Sequence, residues 1–160
     1  MTPEILDKHH IPFYTDIQAG LQTLSFLKTL LNNPGESNLT RLTSSRESTP
    51  NSKITPFKQV VAGHGELYSS TDQVSLVIDY TVQRLGSILE QVRSALDYGE
   101  PRSTSDVLSS VVAAHDASIT TLSQHALYTT TVQAALSALY SQNLIQPIFQ
   151  DNYLLWRRTQ

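Results

Sequence analysis

The stretch STDQVSLVIDYTVQRLGSILEQVRSALDYG, residues 70–99, decides the fold class that the sequence predicts. Ser70 is followed three positions later by Gln73, which is the spacing of a capping box at a helix start. The apolar residues recur every three or four positions and form one broad stripe: Val74, Val77, Ile78, Val82, Leu85, Ile88, Leu89, Val92 and Leu96. Gly99 is the residue type that commonly ends a helix. We therefore predict a helix over Thr71–Tyr98, with Leu85 and Ile88 at the centre of its buried face.

Two further segments show the same helical spacing. The first covers Asp16–Asn32, where Thr15 and Gln18 have capping-box spacing and Pro34 and Gly35 follow as stop signals. The second runs from about Ser105 to Asn143 and contains neither Gly nor Pro. The β-branched run Thr129–Val132 is a weak point in it, so the sequence leaves open whether this segment is one helix or two.

The remaining segments are irregular by composition. They are an N-terminal arm (1–14), a long polar loop (35–56) rich in Ser and Thr, and a C-terminal element (144–160) in which Pro147 precedes the aromatic stretch Ile148–Arg158. The fold class that we predict is all-α. The expected architecture is a single domain, residues 1–160, built as an antiparallel bundle of three to four helices with these irregular parts attached.

Composition limits the classes of function. The net charge is −3, whereas nucleic-acid-binding domains usually carry a basic excess. The absence of cysteine excludes disulfides, thiol catalysis and Cys-ligated metal sites. Charged residues make up only 16% of the chain, against about 25% in typical soluble domains. A surface with so few charges offers little repulsion between copies of the protein, so composition permits self-association.

Nucleic-acid contact is the weaker of two interpretations of the polar loop. The basic side chains that could touch phosphates are Arg41, Arg46, Lys53 and Lys58. Acidic residues are interleaved with them at Glu36, Glu47 and Glu66, and no aromatic stacking residue occurs before Phe57. The loop is therefore more typical of a solvated connection than of a nucleic-acid site.

Candidate chemical motifs are short and incomplete. The Asp7-Lys8-His9-His10 cluster could contribute metal ligands but lacks a further partner, so a solvated terminus is the better explanation. The other fragments are Gly63-His64-Gly65, which lacks the third glycine of a phosphate-binding turn, Ser25 with Lys28, and the separate histidines His115 and His125. We predict no catalytic residue, no cofactor site and no metal site.

The aromatic chain ends are the strongest candidates for an interaction surface. The residues that we select are Phe13, Tyr14, Phe149, Tyr153, Leu154, Trp156, Arg157 and Arg158. Aromatic and Arg side chains are the usual anchors of protein interfaces. The competing interpretation is that both ends fold back onto the bundle and close its core.

The function predicted from these patterns is that of a non-enzymatic structural or assembly subunit acting through helix-mediated protein contacts. A virion or other homopolymeric subunit is the specific form of this hypothesis. The alternatives are a small helical adaptor or regulatory subunit and, third, a metal- or ligand-binding enzyme. No signal-peptide or membrane-spanning pattern occurs in the sequence, so we expect a cytoplasmic or virion location.

Overall fold

The computed structural model describes residue 11 and residues 13–32, 60–61, 67–68, 70–96 and 100–159. The helices are α1 (Ile17–Asn32), α2 (Thr71–Ala95), α3 (Thr104–Ala114) and α4 (Leu122–Ser141). The strands are β1 (Val60–Val61), β2 (Leu67–Tyr68), β3 (Arg102–Ser103), β4 (Ile145–Gln150) and β5 (Tyr153–Arg158). The predicted loop 35–56 and most of the N-terminal arm lie outside the described residues.

The predicted all-α fold class is wrong, because the chain is a mixed α/β protein. Strands β3, β5 and β4 form a three-stranded antiparallel sheet in that order, next to the four helices of the described residues. Strands β1 and β2 form a separate antiparallel pair. The C-terminal element that we predicted to be an irregular arm is the β4–β5 hairpin.

The turn of this hairpin depends on two residues that tolerate a left-handed backbone. Asp151 and Asn152 connect β4 to β5 and have φ angles of 51° and 66°. A two-residue hairpin turn of this kind needs positive φ at both central positions, and Asn and Asp are the non-glycine residues that adopt it most readily. The turn pairs Gln150 with Tyr153 and fixes the register of the whole hairpin.

The first two helices are close to their predicted limits. Helix α1 begins one residue later than predicted, and Asp16 caps it in place of Thr15, because the N–H of Ala19 donates to Asp16 Oδ1 at 2.9 Å. Helix α2 begins as predicted after Ser70, whose side chain accepts the N–H of Gln73. It ends at Ala95, three residues before the predicted end, and Gly99 lies outside the described residues.

The third predicted segment consists of two helices, and the break is at residues 115–121 instead of at Thr129–Val132. Helix α3 ends at Ala114, and Asp116 then adopts a φ of 49°. Helix α4 begins with a capping box in which Thr121 and Gln124 satisfy each other's backbone N–H groups. Helix α3 has its own capping box, and the Ser103 hydroxyl and N–H that donate to Asp106 lower the pKa of that carboxyl.

Helix α2 is the central element of the core and packs on α1, α3 and α4. The predicted burial of Leu85 and Ile88 is confirmed, since both side chains are 0% exposed. The other described apolar residues with 0% exposure come from several elements: Ile17, Val92, Leu96, Val107, Val111, Val132 and Ala135. An ion pair between Lys28 and Asp79 links α1 to α2 at the surface.

Gly86 and Gly20 both lie in helices but differ in the space around them, so the same substitution at each position tests the packing of the structure. Replacing Gly86 by alanine is expected to stabilise the protein by about 0.5–1 kcal/mol, because a Cβ there meets no atom within 4 Å. The same change at Gly20 is expected to give a smaller gain, because its Cβ would lie 3.0 Å from the ring of Tyr14. Denaturant unfolding measures both variants. Equal gains would contradict the described contact between α1 and Tyr14.

Candidate protein-interaction site

The β4–β5 hairpin has two faces that its register defines. Directly opposite residues lie on the same face, so Ile145, Pro147 and Phe149 share one face with the partners Arg158, Trp156 and Leu154. The other face carries Gln146, Ile148 and Gln150 with Arg157, Leu155 and Tyr153. The first face is turned towards the helices, because Ile145 is 1% exposed and belongs to the core.

The base of the hairpin is docked on the helical body. Trp156 is half-buried against the core and makes an edge-to-face contact with Tyr140 of α4, with ring centroids 6.4 Å apart. Arg102 pairs with Trp156 across the β3–β5 ladder. Its guanidinium Nη1 donates to the carbonyl of Ala95 and to Ser110 Oγ, at 2.9 and 3.1 Å. The sheet is therefore fixed to both α2 and α3.

The tip of the hairpin, defined as residues 149–154, extends beyond the part that the helices cover. Phe149 and Leu154 continue the core-facing side of the sheet, yet they are 80% and 43% exposed. Tyr153 lies on the opposite face and is 69% exposed. The tip thus presents large apolar side chains on both faces while its base is held in place.

The outer edge of β4 is poorly suited to adding another strand. The N–H of Thr159 donates to the carbonyl of Leu144 at 3.1 Å. In an antiparallel ladder, opposite residues alternate between pairs that exchange backbone hydrogen bonds and pairs that do not. The next bonded pair is therefore Gln146 with Arg157, and the pair of Pro147 with Trp156 that follows it is not bonded. The backbone groups of Pro147 therefore point away from β5. Because proline has no N–H, the middle of this edge lacks a donor for a new strand. The tip can engage a partner through side chains more readily than through a backbone ladder.

The predicted interaction residues divide into exposed and docked groups. Phe149, Tyr153, Leu154 and Arg157 are exposed, whereas Trp156 and Arg158 are partly covered. At the other chain end, Phe13 is exposed, but Tyr14 packs against the core and its N–H donates to Thr131 Oγ1 at 3.2 Å. Burial raises the pKa of the Tyr14 phenol. Tyr14 and Trp156 therefore fold back onto the core, whereas an interaction role for the exposed residues stays a prediction.

The sequence fragments considered for chemistry do not come together into a site. Lys28 pairs with Asp79 and not with Ser25. His115 is half-buried, and His125 is exposed on α4. In the part of the chain that the structure describes, no three His, Cys, Asp or Glu residues are grouped so that they could hold a metal ion. The described residues do not include the Asp7–His10 cluster, the Gly63-His64-Gly65 fragment or the basic residues Arg41, Arg46, Lys53 and Lys58.

None of the four described helices is long and apolar enough to cross a membrane. Comparisons with protein-family models, with curated proteins and with solved structures find no match to this chain.

Proposed function

We propose that this protein is a non-enzymatic assembly subunit that binds further copies of itself through the tip of the β4–β5 hairpin. The observation that carries the proposal is the exposure of Phe149, Tyr153 and Leu154 on a hairpin whose base is anchored by Ile145 and Trp156. Anchored aromatic side chains lose little conformational entropy when they are buried by a partner. The proposed contact adds the hairpin to the helix faces through which the sequence pattern predicts association.

The charge distribution of the chain supports a second copy of the protein as the partner of the hairpin. The hairpin contains Arg157 and Arg158 against the single acid Asp151, which gives it a net charge of +1. Since the whole chain carries −3, the rest of the protein carries −4. The positive charge lies at the base of the hairpin, where Arg157 is exposed, while the tip carries only Asp151; an acidic neighbour would therefore be attracted to the part of the hairpin next to the tip. A contact between two different surfaces of identical subunits produces rings or open chains, as in a virion or another homopolymer.

The test is the association state of a double variant, Phe149→Ser with Tyr153→Ser. Each exposed aromatic anchor in an interface is worth about 2 kcal/mol or more, so we expect each replacement to weaken association about 30-fold or more. Light scattering after size exclusion should show multimers for the natural chain and monomers for the double variant at equal concentration. Both changes are at exposed positions, so the melting temperature should stay close to that of the natural chain.

Leu122→Ser is the matched control. Leu122 is 85% exposed and is the first residue of α4, whose 20 residues span about 30 Å and separate it from the hairpin at the other end. This variant should assemble as the natural chain does. A natural chain that stays monomeric at all concentrations would overturn the proposal and favour an adaptor that binds a different protein. Multimers that persist in the double variant would also overturn it.

A further inference from the structure

A cleft lined by polar side chains and by apolar surface lies between α2 and α3, on the side of the helices next to β3. Its volume is about 470 Å³, which is within the usual range of small-molecule sites. Helix α2 contributes Ser87, Glu90, Gln91 and Ser94, whose spacing places them on one face of the helix. The described residues that complete the lining are Ala95, Arg102, Ser110 and Ala114. The cleft is separate from the hairpin tip, so its role does not depend on self-association.

Arg102 provides a cation that is already held in position. Both of its hydrogen bonds within the described chain are made by Nη1, to Ala95 O and to Ser110 Oγ. Among the described residues, none forms a hydrogen bond with Nη2 or Nε, although the Asp106 carboxylate is close enough to interact with the guanidinium charge. Planar guanidinium groups favour carboxylates, because two parallel N–H donors match the two carboxylate oxygens.

Gln91 provides an acceptor that has no donor. Its Nε2 lies 3.4 Å from Ser87 Oγ, but its Oε1 is buried and accepts no hydrogen bond from any residue that the structure describes. A buried carbonyl oxygen without a donor destabilises a protein by about 1–3 kcal/mol, and a ligand N–H that donates to this oxygen would remove that cost. The carboxylate of Glu90, also in the lining, lies 3.5 Å from Arg93 Nη1 and is largely exposed, and its oxygens can accept a further hydrogen bond from an ammonium group.

We propose that this cleft binds a free α-amino acid with an aliphatic side chain. Its carboxylate would pair with Arg102, its ammonium group would donate to Gln91 Oε1 near Glu90, and its side chain would lie against Ala95 and Ala114. The cleft supplies the opposite charges and the apolar wall that such a zwitterion needs. Serine hydroxyls on both helices can donate or accept at the edges of the ligand.

The experiment is a titration of the full chain followed by amide NMR shifts, with L-leucine as the probe. We expect saturable shifts at Ser87–Ala95 and Arg102–Ala114. Isocaproate lacks the amine and isopentylamine lacks the carboxylate, so each should bind about tenfold more weakly or worse, the loss expected for one hydrogen bond to a charged group.

Gln91→Leu should weaken L-leucine binding about tenfold, because leucine cannot accept the ammonium proton. The matched control is Gln83→Leu, an exposed position on the same helix outside the cleft, which should bind as the natural chain does. Arg102→Gln should abolish the preference for L-leucine over isopentylamine, and its circular dichroism checks that it is folded. The proposal is overturned if L-leucine produces no saturable shifts, if all three probes bind equally, or if Gln91→Leu and Gln83→Leu behave alike.

Discussion

Leu85→Ala is expected to lower the free energy of unfolding by about 2–5 kcal/mol, the range for removing a large aliphatic side chain from a core. Leu85 is 0% exposed and lies at the middle of α2, the helix on which α1, α3 and α4 all pack. The cavity left by the change is bordered by several elements, so its surroundings have little freedom to collapse into it. Denaturant unfolding should show a lower midpoint with an unchanged slope.

Leu76→Ala is the control for this change. Leu76 is on the same helix and is 66% exposed, so its truncation should alter the free energy of unfolding by no more than about 0.5 kcal/mol. Since the substitution and the helix are the same in both variants, the difference between their free energies of unfolding gives the effect of burial. Similar values for both would show that α2 does not occupy the centre of the core.

Ile145→Ala is expected to have an effect of similar size, about 2–5 kcal/mol. Ile145 begins β4, is 1% exposed and joins the sheet to the hydrophobic core. Its loss should loosen the base of the hairpin and reduce the edge-to-face contact between Trp156 and Tyr140. Tryptophan fluorescence and denaturant unfolding can follow both effects in one titration.

Phe149→Ala is the partner experiment, because Phe149 is on the same strand and on the same face but is 80% exposed. In the monomer, this change should affect the free energy of unfolding by less than about 0.5 kcal/mol. A small effect for Ile145→Ala together with a large one for Phe149→Ala would reverse the described assignment of base and tip.

The helices could be predicted because their signals are local. Periodic apolar residues and the Ser70–Gln73 cap define α2 without reference to the rest of the chain. The break between α3 and α4 also has a local signal, the Thr121–Gln124 capping box, which the continuous apolar pattern obscured. The absence of Gly and Pro from residues 105–143 favoured a single long helix, yet Asp116 adopts positive φ without either.

The sheet could not be predicted from the sequence, because one of its strands is very short and pairs with residues far along the chain. Strand β3 has two residues and pairs with residues more than 50 positions later. The hairpin does have a local signal, Asp151-Asn152 between two six-residue segments rich in apolar side chains, but Pro147 within the first segment is a residue that argues against a strand. Which aromatic residues are docked depends on where the helices end, and no local pattern contains that information.

Pro147 also affects how any assembly through the hairpin can come apart. A neighbour that added a strand to β4 would be held by a row of cooperative backbone bonds, and such sheet growth is hard to reverse. The missing donor at the centre of that edge makes side-chain contacts the easier mode of attachment, and such contacts separate without unfolding either subunit. Assemblies joined in this way can exchange subunits and respond to dilution, so a single proline favours a reversible polymer over a permanent fibre.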